Sequence, residues 1–153
     1  MTIEEIQKTI GEKLGAKALE ISVKSPRQMF VAVAPENLLE AMRFFKQDLG
    51  LYHLSTITGR DTGEKLEALY HLAMEGLELT VRSQTDRDNP KLPTITPVYP
   101  GAVFYEREVH DLVGIDIEGH PDLRPLVLPE DWPQGDYPLR KDWKYNREKG
   151  AIE

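Results

Sequence analysis

Glu106 and His110 stand four residues apart, and His120 follows ten residues later. In a helix, positions i and i+4 share one face. A carboxylate and an imidazole on that face, with a second imidazole nearby, are ligand types for zinc and similar metals. The same stretch holds Glu106, Glu108 and Asp111, a set suited to general acid–base work if a pocket raises one pKa. Neither constellation completes itself. No second helical ligand pair accompanies the first, Arg107 among the carboxylates points to ion pairing, and nothing in the sequence marks a pocket. Capping and interface hydrogen bonds are the competing use of Glu106, His110 and His120. The chain has no cysteine. Disulfides, a thiolate nucleophile, Cys-ligated zinc and Cys-ligated iron–sulfur clusters are therefore excluded from it, in keeping with a reducing cytosol.

The elements that must position these residues fall into two chemically different halves. With 153 residues the chain suits one compact domain. Residues 1–88 read as an α/β unit. Thr2 with Glu5 three residues later makes a capping box, and Ile3, Ile6, Ile10 and Leu14 continue it as an apolar helical stripe. Leu19, Ile21 and Val23 alternate with polar neighbours, as do Met29, Val31 and Val33, with Ser25-Pro26-Arg27 as the turn of a hairpin. Pro35 opens a second helix carrying Leu38, Leu39, Met42, Phe45 and Leu49, and Gly50 stops it. Residues 53–60, the set Leu66 to Met74 and the set Leu77 to Val81 then form an antiparallel meander through turns at Asp61-Thr62-Gly63 and Glu75-Gly76. One-sided alternation places helices on one face and leaves the other polar. The expected fold class is α/β (α+β): a small mixed or antiparallel sheet with helices on one face, plus an irregular Pro-rich C-terminal extension. His53 and His71 fall in strands and read as packed or edge residues.

Residues 89–101 read as a Pro-rich connector, neither regular helix nor central strand. Residues 102–153 read as a helix plus an extended C-terminal docking arm. The helix spans Ala102 to Val113, with Tyr105, Val109, Leu112 and Val113 on one face and Gly114 at its end. Beyond it, five prolines exclude a long helix, yet Leu126, Val127, Trp132, Tyr137 and Trp143 are not the composition of a disordered tail. Extended chain laid on a surface, its own or a partner's, accounts for both facts. Residues 104–136 hold nine acids against two arginines, net -7, whereas 137–149 hold five bases against two acids, net +3. Adjacent patches of opposite sign suit an oriented interface; a solvated surface with local ion pairs is the plainer reading. Arg124 and Arg140, set between Pro and Leu residues, suit a desolvated carboxylate pair, within the fold or across an interface.

The overall charge of -7 argues against nucleic acid or an anionic membrane surface as the main partner. No apolar run approaches the roughly 20 residues that span a bilayer, and the acidic start Thr2-Ile3-Glu4-Glu5 is unlike a signal peptide. Membrane association is therefore expected only through a partner.

The run from Glu106 to Ile115 is followed by Gly119-His120-Pro121-Asp122-Leu123-Arg124-Pro125-Leu126. Then come Leu128-Pro129-Glu130-Asp131-Trp132 and Tyr137-Pro138-Leu139-Arg140-Lys141-Asp142. This succession resembles the family of the small hydrophilic peripheral-arm subunit of respiratory complex I, the NADH dehydrogenase. The same family supplies the matching subunit of membrane-bound nickel–iron hydrogenases and their relatives. The motif match covers about 100–143, and the helix–hairpin–helix–meander layout covers the first half. Complex I members usually carry an aromatic where Val113 stands and often two bases where Arg124-Pro125 stands. His110 before Asp111 looks more like the hydrogenase branch. These details point toward a hydrogenase-like complex, with complex I proper as the alternative.

The resemblance implies a non-catalytic chain with no cofactor of its own, in the peripheral arm on the cytoplasmic side of the membrane. It implies two partners: a large subunit of nickel–iron type, and a small iron–sulfur subunit. Iron–sulfur clusters, and a nickel–iron site where there is one, are then expected in those subunits. The expected interface residues are Glu106, Arg107, His110, Asp111, His120, Arg124, Trp132, Tyr137, Arg140 and Trp143. Outside this class, a small Glu/His metalloenzyme and a soluble adaptor are the competing readings.

Overall fold

The computed structural model describes residues 1–145; Arg147 and Lys149 of the basic stretch lie outside it. Helix α1 (Ile3–Leu14) starts on the expected capping box, with both reciprocal Thr2–Glu5 bonds made. Ile6, Ile10 and Leu14 are its buried stripe. A short 3-10 turn leads into β1 (Ala18–Ser25) and β2 (Gln28–Val33), an antiparallel hairpin. Helix α2 (Pro35–Gln47) buries Leu38, Ala41, Met42, Phe44 and Phe45. Strands β3 (His53–Asp61), β4 (Lys65–Met74) and β5 (Leu77–Asp86) form the expected antiparallel meander.

The two units are joined by a pairing that no turn signal announces. β2 runs parallel to β5, with Met29 opposite Leu79 and Val31 opposite Val81. The sheet order is β1-β2-β5-β4-β3, so β1 is an edge. That position explains a departure from the expected alternation: Leu19 and Val23 are exposed, and register shifts break both ends of the β1–β2 ladder. Irregular ends of this kind also blunt an open edge. On the core face, Met29, Val31, Tyr70, Leu72, Leu79 and Val81 are buried. The opposite face is polar, and along one cross-strand row Arg60 and Gln84 both bond Glu67.

Residues 89–101 are more than a connector. Lys91–Pro93 forms β6, which pairs in parallel with β7 (Asp116–Glu118). Leu92, Ile95, Val98 and Tyr99 belong to the core. The Tyr99 hydroxyl donates to the Leu51 carbonyl (2.7 Å) and Lys46 donates to that of Val98 (2.6 Å), fixing the segment against α2 and its exit. Proline there limited regular structure to the short β6 without removing apolar burial, and burial decided the segment's place.

Helix α3 (Ala102–Val113) ends at Gly114, whose φ of 81° is left-handed. It crosses β3 closely. A Cβ on Gly59 would lie 2.8 Å from Val113 Cγ2 and 3.3 Å from Val109 Cγ1. The buried face holds Ala102, Glu106, Val109 and Val113, while Tyr105 and Leu112 are only partly buried. The face is thus turned toward Glu106 relative to the apolar pattern, because that carboxyl finds partners inside.

Candidate functional site: helix α3 and its back-folded arm

Glu106 is 1% exposed. Its carboxylate accepts the Thr94 hydroxyl (2.7 Å) and the Ile95 N–H (2.7 Å). Burial pushes its pKa up; the Ile95 N–H, the Thr94 hydroxyl and the nearby His120 offset part of that rise. Burial, with the Glu106 charge added, pushes the Tyr70 phenol up as well. His120 Nε2 lies 3.8 Å from the Glu106 carboxylate. Its Nδ1 accepts the Asp122 N–H (2.9 Å), so the proton assigned to Nε2 donates to the Val103 carbonyl (2.9 Å). His110 turns away, its Nδ1 on the Ile115 carbonyl (2.9 Å). The three candidate ligands therefore do not converge, and among the described residues no His, Asp and Glu group is placed to hold a metal. Glu106, expected at an interface, is a core residue, and the His120 side chain is enclosed with it.

The rest of the motif builds an arm that folds back on α3. A chain with no ladder needs other partners for its backbone groups, and α3 supplies them. Arg107 donates to the carbonyls of Arg124 (2.8 Å) and Pro125 (2.9 Å). One helical turn on, Asp111 Oδ2 accepts three successive N–H groups, of Leu126 (2.7 Å), Val127 (2.9 Å) and Leu128 (3.4 Å). Farther along, Arg140 bonds the Val113 and Gly114 carbonyls at the end of α3 (2.7 and 3.3 Å), where a cation also meets the negative end of the helix dipole. Its guanidinium lies 4.5 Å from the Tyr137 ring centroid. That ring occupies the space a Gly114 side chain would need. The indole N–H groups of Trp132 and Trp143 both bond Asp136, one to its carbonyl and one to its carboxylate.

Arg140 thus meets carbonyls rather than the expected carboxylate. Arg124 pairs with Asp122 (2.7 Å), but its side chain is 81% exposed, so the pair is not desolvated. That guanidinium holds the Asp122 carboxyl down at about 2. Between α3 and the arm lies a cleft of 440 Å³ lined by residues including His110, Leu128, Trp132 and Tyr137.

Asp61, a turn residue by sequence, ties the far end of the arm to the sheet. One oxygen does cap that turn through the Gly63 N–H (2.8 Å) and meets Arg87. The other accepts the N–H of Lys141 (2.9 Å), and Arg87 also reaches Asp142 (3.3 Å). Burial alone would raise the Asp61 pKa, but Arg87 and the two N–H donors outweigh it and hold the carboxyl at about 2. The turn at Asp61-Thr62-Gly63 is legible in the sequence; the second partner, 80 residues away, is not.

A five-stranded mixed sheet with an arm locked to its last helix defines a small α/β protein in which α3 and the described part of the arm, to residue 145, form a ledge. On the ledge Phe104, Leu126, Val127 and Leu139 are 41–57% exposed. Comparison with known proteins gives the family. The chain matches the respiratory-chain NADH dehydrogenase 30 Kd subunit family over residues 31–149, and it belongs to that family. Membrane-bound hydrogenase subunit beta of Pyrococcus furiosus is 34% identical over 143 residues, covering 88% of this chain and 80% of that one. The C/D subunit of NADH-quinone oxidoreductase from Phocaeicola vulgatus is 40% identical over 118 residues; these cover 74% of this chain but 22% of that longer one. Among solved structures, a chain of the membrane-bound sulfane sulfur reductase, an archaeal respiratory membrane complex, matches with a TM-score of 0.84. It is 31% identical, and the match covers 97% of this chain and 91% of that one.

Proposed function

We propose that this chain is a non-catalytic peripheral subunit of a membrane-bound respiratory oxidoreductase of the hydrogenase and complex I-related class. The α3–arm ledge docks on a large subunit of nickel–iron type and braces it beside the iron–sulfur relay. The observation that carries this reading is the preformed ledge. Much of its backbone is held by side chains and turns of the chain itself, and its outward side carries exposed apolar side chains among charged ones. Family membership and the likeness to a chain of an archaeal respiratory membrane complex support the setting. In the Phocaeicola vulgatus protein the matched stretch shares one chain with a much longer remainder, which favours a large partner for this stretch.

In this reading electrons pass through partner subunits, and this cysteine-free chain carries no cluster. No helix among the described residues is long and apolar enough to cross a membrane. The chain is then held at the membrane, on the cytoplasmic side, by its partners. Removing residues 124–153 tests the docking role while keeping β7 and the buried Ile115 and Ile117 in place. The expected outcome is a stable, soluble truncated chain and loss of the assembled, active complex from detergent-solubilised membranes. An intact, active complex around the truncated chain would overturn the proposal.

The second reading, a subunit of complex I proper, is favoured by the 40% identity to the NADH-quinone oxidoreductase protein. Mass spectrometry of the co-purified subunits separates the two. NADH-oxidising subunits would select complex I, and a large subunit bearing nickel-ligating cysteines would select the hydrogenase side.

A further inference from the structure

Of the exposed apolar side chains of the ledge, Phe104, Leu126 and Val127 lie near exposed acids, whereas Leu139 precedes Arg140 and Lys141. Phe104 and Glu108 are neighbours one turn apart on the outward side of α3, and both are exposed. Arg107 lies 6.0 Å from the Phe104 ring centroid and holds the 124–125 carbonyls, which brings exposed Leu126 and Val127 alongside. Glu130 lines the same recess as Arg107, Arg124 and Pro125, and Asp131 follows it. Glu108, Glu130 and Asp131 are all exposed, and among the described residues none makes a salt bridge. The two arginines of the patch are engaged within the chain, Arg107 on carbonyls and Arg124 on Asp122.

We infer that the partner surface received by this ledge is an apolar groove rimmed by lysine or arginine. This rests on the docking function proposed above and adds the partner's chemistry. Three carboxylates with no salt bridge among the described residues, set around apolar side chains, repel an acidic partner and steer a basic one, an effect on association that salt screens. A second copy is a poor occupant, since each copy carries a net charge of -7 and would present the same acids. An anionic lipid surface fails for the same reason.

The test uses the full tagged chain replacing the native one in its host. The amount of co-purified partner subunit per chain is measured from solubilised membranes at about 50 and about 500 mM KCl, a range over which the Debye length falls severalfold. Wild-type retention should fall as salt rises. E108K/E130K/D131K should cut retention about tenfold at low salt, with the loss narrowing at high salt. L126S/V127S should lose retention at both. L19S/V23S, on the open β1 edge, should retain the complex, and unchanged thermal melting should exclude misfolding as the cause in every variant.

Undiminished retention of the triple reversal, or salt-independent retention of the wild type, would overturn the basic-rim inference while leaving the docking function standing. A ledge-dependent dimer of the purified chain in light scattering, abolished by L126S/V127S, would name a second copy as the occupant and overturn it too. Failure of the wild type to bring down any membrane subunit would instead sink the docking function, and the inference with it.

Discussion

The helix–sheet body and the C-terminal arm are held together by different physics. In the body, non-directional burial dominates: Ile10, Leu38, Phe45, Leu72 and Leu79 are essentially inaccessible, and any apolar residue of similar shape would serve there. In the arm, few side chains are fully buried and a handful of directional bonds do the holding. Arg107, Asp111 and Arg140 make their hydrogen bonds to backbone atoms rather than to other side chains. A segment whose prolines forbid a ladder is fixed by side chains standing in for one. The body should therefore fail globally and gradually with lost volume, whereas the arm should fail locally when a single donor or acceptor is removed.

The largest effect belongs to the body. Leu72→Ala, in the central β4, should lower unfolding free energy by about 3 kcal/mol, read as a fall in the denaturant midpoint of far-UV circular dichroism. A neutral result would mean the body is not the stability-determining region. Gly114→Ala comes next at about 2 kcal/mol, because φ is 81° and the new methyl would meet the Tyr137 ring. Its signature should be local. Trp132 and Trp143 are the only tryptophans in the chain and both belong to the arm, so intrinsic fluorescence should change while far-UV dichroism does not.

Asp61→Asn should loosen the arm by about 1.5 kcal/mol. The folded carboxyl is held at about 2, below its ordinary 3.8. Its contribution is therefore complete above about pH 4 and lost as pH falls from 4 toward 2. The wild-type fluorescence should shift across that window, and the variant should lack that component; identical acid profiles would show that the Asp61 carboxylate does not hold the arm. Smallest is Asp111→Asn, at about 1 kcal/mol. It should speed hydrogen exchange of the Leu126, Val127 and Leu128 amides several-fold and leave β4 and β5 amides protected.

Much of the body was legible because its signals are local. The capping box at Thr2, Pro35 at a helix start and the two tight turns of the meander each lie within a few residues of what they determine. Family membership was legible for another reason: Glu106 to Asp142 is a long ordered string of unusual residues. The roles within that string were less so. Glu106 has the same spacing to His110 whether it binds a metal, faces a partner or turns inward to Thr94. Asp61 looks like a turn residue whether or not its second oxygen has a distant partner. Gly59, where β3 meets α3, carries no signal beyond its own small size.

The sequence by itself determined the helices, the hairpins, the absence of a thiol and the irregular, aromatic-rich character of the last third. These follow from propensity, periodicity and composition, which act over one or two turns of chain. Tertiary structure alone decided the parallel β2–β5 pairing, the burial of Leu92, Ile95, Val98 and Tyr99, and the closing of the arm on α3 and Asp61. Each depends on groups brought together from distant parts of the chain. Their partners are chosen by which faces remain apolar, and which polar groups remain unbonded, once the local elements have formed.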